Sequence, residues 1–581
     1  MNKNSIILLI IVIIFTGCED LLEPADENNQ TLEDIYNDAV FAEGVLMNAY
    51  SRLPTNSYSF NDVATDDAVT NDKFSGYVTM ATGQWSSINN PVDQWYNSYT
   101  AIMYLNMFLA ETDSVEWSYR SDTASMLFNY RNKGEAYGLR AQFMLNLLQS
   151  HGGYSPGGEL LGVPVITEAL EAGSDFSRPR NTFEECMQQI YSDLNEADKY
   201  LPLDYLDLEV ESDLPAQYKD FSIAEYNRVF GDINRQRISG RILKAIRAKA
   251  ALLAASPAYS EGTTFTWEDA ANYAAEVIDL YGGIAAMDPK GALFFQRANV
   301  DKINLTRYID QSEMLWRGSI STSYNLEQDN FPPSLYGNGR VNPTQNLVDA
   351  FPMENGYPIT DAVNSDYDPA NPYDNRDPRL TSYIVVNGST LANQPINTST
   401  NSGDDAVDEL KTSTRTGYYL RKLLREEVNL DPTAMQGQKH YPVHIRYTEI
   451  FLIYAEAANE AWGPDGSGTH TYSARDVIAA IRSRAGITQP DNYIASISGK
   501  ENMRELIRNE RRLELCFEGF RFWDLRRWKK DLTESAMGVR ITNDNYVVST
   551  VENRLYEDYM YYPPLPYNEV LKFGLIQNNG W

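Results

Sequence analysis

A chain of 581 residues with a formal net charge of −31 has no general affinity for nucleic acid, whose phosphates demand a basic surface. Its hydrophobic content of 43% and aromatic content of 12% exclude a disordered polymer and are enough for a large core. The acidic balance also disfavours capture of anions over the whole surface, whereas 39 tyrosines and 9 tryptophans suit neutral ligands held against flat rings.

The first element is a short apolar run from Ile6 to Phe15, preceded by Lys3 and followed by Thr16-Gly17-Cys18. A spanning helix needs about 20 apolar residues, so the run reads as a signal peptide over residues 1–17. The Gly-Cys pair resembles a lipobox, with Phe15 where leucine is usual, and makes Cys18 the acylated first residue of the mature chain. An ordinary secretory peptide is the plainer alternative. A lipid anchor, not a threaded helix, is the expectation. Of three cysteines, Cys186 and Cys516 remain, far apart in sequence, and read as two separate buried thiols.

Residues 66–94 form a polar stretch containing Asp67, Asn71, Trp85 and Asn89. Trp95 heads a helix over 96–109 and reads as core. Alanine-rich helical patterns follow at 134–148, 241–255, 267–280, Tyr447–Trp462 and Ala474–Ala485, with a shorter amphipathic one at 183–191. Ala455, Ala457 and Ala458 permit close helix approach. Gly282-Gly283, Asp288-Pro289 and Gly291 break the helical run. Residues 301–416 are rich in Asn, Asp, Pro, Gly and Ser, with a β-like run at 382–386. Irregular stretches of this length inside a domain are usually functional, and loops on a rigid scaffold commonly carry binding sites.

Sugar rings pack apolar C–H faces on aromatic side chains while Asp, Asn and Arg answer their hydroxyls. Two stretches combine these ingredients. One holds Asp67, Asn71, Trp85 and Asn89; the other, 316–336, holds Tyr324, Phe331 and Tyr336 before Gly337-Asn338-Gly339-Arg340. The competing reading is that Trp85 packs in the core and that the loop aromatics merely pin the loop. No His-Glu-x-x-His, phosphate-binding loop or dinucleotide fingerprint occurs, and no catalytic residue, cofactor or metal is assigned. His440 and His444 have a metal-like spacing only in a helix, which Pro442 opposes.

Residues 509–530 are the most distinctive stretch. Met503, Leu506, Ile507, Leu513 and Phe517 mark one buried helix face, and Glu510 and Glu514 lie on or beside it. Buried carboxylates must be paired, and Arg511, Arg512, Arg521, Arg526 and Arg527 are the nearby cations. The pair Glu510 and Glu514 has the composition of a glycosidase dyad, but the adjacent arginines favour structural ion pairing.

The run Glu510-Arg511-Arg512-x-Glu514-Leu515-x-Phe517-Glu518-Gly519-x-Arg521, continued by Asp524, Leu525, Arg527 and Trp528, resembles the signature of the RagB/SusD family, surface nutrient-binding lipoproteins of Bacteroidetes. Further matches lie in order: Gly134-Glu135-Ala136, Gly162-Val163-Pro164, Asn375-Arg376-Asp377-Pro378-Arg379-Leu380, Ile481-Arg482-Ser483-Arg484-Ala485-Gly486 and Tyr562-Pro563-Pro564-Leu565-Pro566. The closing Gln577-Asn578-Asn579-Gly580-Trp581 has Asn579 where the family usually has proline. Glu19, Asp20 and Glu23 are similar to the acidic tether of surface-directed lipoproteins.

The resemblance implies a mainly α fold, a tetratricopeptide-like helical scaffold with large irregular loop regions and few short strands. It implies an N-terminal helical region over 18–270 and a C-terminal region over 271–581, with a loop-rich insertion around 301–416. The function it implies is capture of oligosaccharides or polysaccharide fragments at the cell surface and delivery to a SusC-like TonB-dependent outer membrane transporter. A peptide receptor of the same family, a glycoside hydrolase and a purely structural lid are the alternatives.

Overall fold

The computed structural model describes residues 38–53, 60–170, 173–304 and 309–581; the expected signal peptide over 1–17 and the expected lipidation site Cys18 lie outside the described residues. Ten helices carry the argument. They are α1 (Ala39–Tyr50), α2 (Trp95–Glu111), α3 (Asp122–His151), α4 (Phe183–Asp198) and α5 (Gly240–Ala255), then α6 (Trp267–Tyr281), α7 (Tyr447–Trp462), α8 (Ala474–Ala485), α9 (Lys500–Leu515) and α10 (Arg521–Arg527). Successive helices pack on one another: α2 on α3, α3 on α4, α5 on α6, and α7 on both α8 and α9. The chain thus stacks helix pairs as tetratricopeptide-like units do.

Small residues set the spacing. Ala270, Ala271, Ala274 and Ala275 of α6 and Ala455, Ala457 and Ala458 of α7 are wholly buried, so these two helices approach closely although 180 residues of chain separate their starts in sequence. Reciprocal N-terminal caps start three of the helices: Thr182 with Glu185 at α4, Thr266 with Asp269 at α6, and Ser473 with Asp476 at α8. Each satisfies two otherwise orphaned backbone donors. The patterns expected at 134–148 and 183–191 are parts of longer helices, because Ala124 and Leu127 extend the buried stripe of α3 toward its start and Leu194 and Ala197 extend that of α4 toward its end.

Among the described residues every sheet has two strands. Within 301–416 and its neighbours, Met314–Arg317 pairs with Val443–Arg446, and Ser321–Ser323 with Gln438–His440. Ala68–Thr70 pairs with Val341–Pro343. The β-like run at 382–386 is the end of a helical turn, Arg379–Tyr383, followed by the strand Ile384–Val385. A core containing Phe331, Phe351, Tyr383, Tyr418 and Phe517 underlies this loop region, separate from the core of the helix stack.

Helix α9 joins the two. Glu510 binds Arg379 at 2.9 Å and Arg482 at 2.7 Å. Glu514 binds Arg484 at 2.7 Å, Arg379 at 3.1 Å and Arg446 at 3.4 Å. Burial would raise the Glu514 carboxyl, but Arg484, Arg446 and Arg379 bring it down to about 2. The two carboxylates are therefore ion-paired, but with arginines from distant segments and not with those beside them. Side chains one or two positions apart on a helix do not face each other, so Arg511 turns to Asp524 at 2.7 Å and Arg512 to Asp66 and Asp67. Arg527 takes Glu456 and Asp524. Arg526 pairs with no carboxylate among the described residues: its guanidinium lies 3.5 Å from the ring centre of Phe522 and near Trp85 and Tyr556, a cation–π arrangement.

Candidate functional site

The first stretch singled out in the sequence, 66–94, pairs with the segment that follows the second, 316–336: Ala68–Thr70 runs antiparallel to Val341–Pro343, with Val69 opposite Asn342. Asn71 fastens them further. Its Nδ2 donates to the carbonyls of Asn338 and Gly339, both at 2.9 Å, and its Oδ1 accepts from Arg340 Nη1 at 3.3 Å. A cleft of about 320 Å³ opens there, lined by Thr70, Asp72, Tyr77, Asn325, Asp329 and Arg340 among others. Phe74, in the loop after Asp72, is 96% exposed, and Tyr324 stands between the lining residues Ser323 and Asn325. Tyr336 is exposed in the turn that leads to Arg340 and adopts a left-handed φ of 63°. Gly337 follows because a Cβ there would come within 2.1 Å of the Phe331 carbonyl.

Arginines from the signature segment hold the floor of this site. Arg512 binds Asp66 at 2.7 Å and Asp67 at 2.6 Å, and Arg521 binds Asp66 at 2.7 Å. Arg554 donates to the carbonyls of Thr65 and Ala68, and Arg415 to that of Thr70 at 2.9 Å. Burial pushes Asp66 up, but Arg512 and Arg521 more than reverse it and hold it well below the usual carboxylate range. Burial raises Asp67, and Asp66 adds to that. Asp62 is raised to about 7 by burial and by Asp67.

The predicted site residues divide by burial. Asp67 is wholly buried in its ion pair, so its carboxylate fixes the strand and is not offered to a ligand. Trp85 is also enclosed: its Nε1 donates to Asn90 Oδ1 at 3.0 Å and its ring meets Phe522, Tyr556 and Trp581 edge-on. Phe331 is packed in the core below the loops. Neither ring presents a face to solvent, and the core reading is the one the geometry favours for both. Asn71 links the cleft walls. Asn89 is exposed in a turn with Ser86 and does not line the cleft. Tyr324 and Tyr336 are exposed. Tyr77, Asp329 and Arg340 line the cleft with no sequence motif that marks them as site residues; Phe74 belongs to the exposed Asn-Asp-Lys-Phe-Ser-Gly segment after the strand.

Gly153-Tyr154-Ser155-Pro156-Gly157 spells the Gly-x-Ser-x-Gly of hydrolases, yet Gly153–Tyr154 is a short strand and the rest of the motif turns the chain back to its partner strand Leu160–Leu161. Ser155 Oγ accepts from the backbone of Gly157 and Glu159, and nearby His151 is engaged with Asp93 and the Pro564 carbonyl. His440 faces Glu327, whereas His444 packs on Trp316. Burial, with Lys249 close by, lowers His444 to about 4. Cys186 and Cys516 are separate buried free thiols, and burial raises each to about 12. Among the described residues no helix is long and apolar enough to cross a membrane.

Residues 297–581 match the model of the SusD family, and residues 22–217 match one described as starch-binding associating with outer membrane. A SusD-like protein of Formosa agariphila is 24% identical over 559 residues, covering 91% of this chain and 92% of its own. A solved SusD-like protein from Bacteroides fragilis superposes with a TM-score of 0.72 at 23% identity, over 96% of this chain and all of the other. A second solved structure from that organism, a SusD-like carbohydrate binding protein, gives a TM-score of 0.68 at 19% identity over 92% of this chain and 98% of the other. With both family models matched in sequence order and the helix stack shared from end to end, the chain belongs to the SusD/RagB family.

Proposed function

We propose that this protein is a cell-surface glycan receptor. It captures an oligosaccharide or polysaccharide fragment at the cleft between residues 70–77 and 323–341 and passes it to a TonB-dependent outer membrane transporter, while Cys18 anchors it by lipid. The observation that carries the reading is the cleft itself. Tyr77 lines it together with the polar groups of Asp72, Asn325 and Arg340, and the exposed Phe74 and Tyr324 are chain neighbours of lining residues. Aromatic faces suit the apolar side of a sugar, and the polar groups suit its hydroxyls. The mechanism is binding and release without bond chemistry, so its energetics are stacking, hydrogen bonding and any population shift in the partner.

Isothermal titration of the protein against neutral oligosaccharides of defined linkage, with short peptides as comparison, tests the reading. Tyr324→Ala, Phe74→Ala and Arg340→Ala should each weaken glycan binding by about tenfold, the usual size of a loss at a central contact, while leaving the melting temperature within a few degrees. Binding of peptides alone would make this a peptide receptor. Release of shortened glycan, abolished by replacing one carboxylate, would make it a hydrolase.

A further inference from the structure

A second cleft, of about 280 Å³, lies between the helix stack and the signature segment, away from the strand pair that builds the first. One wall is a single face of α3, where Gln142, Asn146 and Gln149 recur at helical spacing. Lys249 of α5 and Glu449 of α7 form an ion pair at 2.9 Å on another side. Phe520 and Trp523, both half-buried, flank the mouth.

The telling group is Arg511. It is 3% exposed, and its Nε is held by Asp524 at 2.7 Å. Its Nη1 is buried and has no hydrogen-bond partner among the described residues, yet the residue lines this cavity. A buried donor left unpaired is costly and invites an acceptor from outside the protein. The walls do not favour a charged one. Three cations, Lys249, Arg511 and Arg527, face three carboxylates, Glu449, Glu518 and Asp524. The carboxylates already have partners: Glu449 has Lys249, Asp524 has Arg511 and Arg527, and Glu518 has Lys422 and Arg446. His444 is held neutral by burial. The cavity is also at the lower limit of ligand pockets, which run from about 300 Å³ upward, so it has room for one ring and not for a chain.

We propose that this cleft is a second binding site, for a neutral polyhydroxylated molecule the size of a single sugar ring. A ligand hydroxyl oxygen accepts from Arg511 Nη1, the amides of Gln142, Asn146 and Gln149 bind other hydroxyls, and Phe520 and Trp523 cover the apolar side. The proposal does not depend on what the first cleft binds.

The test uses the full-length protein with D-glucose, D-galactose, D-mannose and myo-inositol as probes and D-glucuronate as the charged comparison. Binding is read by isothermal titration and by saturation-transfer NMR. At least one neutral probe should bind saturably, with affinity reduced about tenfold or more by Asn146→Trp, which fills the cavity, and by Trp523→Leu, which strips a wall. Tyr324→Ala in the first cleft should leave it unchanged. If Asn146→Trp fails to fold, Trp523→Leu and Gln149→Leu decide the matter. The proposal is overturned if no neutral probe binds, which leaves only water for Arg511. Binding of glucuronate alone overturns it too, as does binding lost in Tyr324→Ala but retained in the second-cleft variants.

Discussion

Asp62 sits at the start of the loop that leads into the first cleft and shows how burial couples to pH. One carboxylate oxygen accepts the Phe517 N–H at 3.2 Å, and the other has no partner among the described residues. Burial and the neighbouring Asp67 raise this group from 3.8 to about 7. A carboxyl whose folded value lies above its unfolded one contributes stability that is complete below pH ~4 and lost as pH rises through about 7. Asp66 runs the other way: held low by Arg512 and Arg521, it contributes stability above pH ~4 that is lost on acidification. Asp62→Asn keeps the acceptor for Phe517 and removes the charge. Thermal melts followed by circular dichroism should then show a flatter decline between pH 5 and 8, and a higher melting temperature than the parent at pH 8. An unchanged slope would mean that Asp62 is ionised throughout.

Helix α9 acts at the next scale, because its two sides serve different ends. Glu510 and Glu514 tie the scaffold to the segment around Arg379, while Arg512 reaches Asp66 and Asp67 beneath the strand Ala68–Thr70. Arg512→Ala leaves Arg521 as the one cation for both, at 2.7 Å from Asp66 and 3.9 Å from Asp67. Removing one partner of a buried pair typically costs about 3–5 kcal/mol. The melting temperature should fall, and affinity at the cleft should fall with it, although Arg512 lines no part of that cleft. A drop in stability with affinity intact in the folded fraction would show that the strand holds its place without this anchor.

What sequence revealed at this scale follows from range. The bounds of α7 and α8 are legible because alanine-rich stripes and a Ser473–Asp476 cap are local signals. The need of Glu510 and Glu514 for arginines is legible from burial alone. Which arginines answer is not, since Arg379 lies 131 and 135 residues away along the chain. Trp85 misled for the same reason: a polar loop with a tryptophan reads alike whether the ring faces a ligand or, as here, Phe522 and Trp581 from the far end of the sequence.

Over the whole molecule, the segments that define the fold and those that form the first cleft are distinct but mechanically joined. The core of the helix stack takes Ile278 and Ala274 from one half of the sequence and Ile450, Ile453 and Ile507 from the other. The core beneath the cleft takes Leu513 and Phe517, from the end of α9 and just beyond, together with Phe331 and Tyr383. Loop side chains at the cleft can therefore change while the scaffold stays folded, which is how one family fold serves different ligands. A receptor that raises the local concentration of nutrient at a transporter matters most when nutrient is scarce. Cells carrying a Tyr324→Ala, Arg340→Ala double variant should assemble it at the membrane in normal amount. They should grow as the parent does on abundant cognate glycan but fall behind when it is limiting, whereas cells lacking the protein fail in both. Growth equal to the parent at every concentration would assign the protein a structural role at the transporter, with the cleft dispensable; failure at every concentration would mean that the cleft is needed for transport itself and not only for capture.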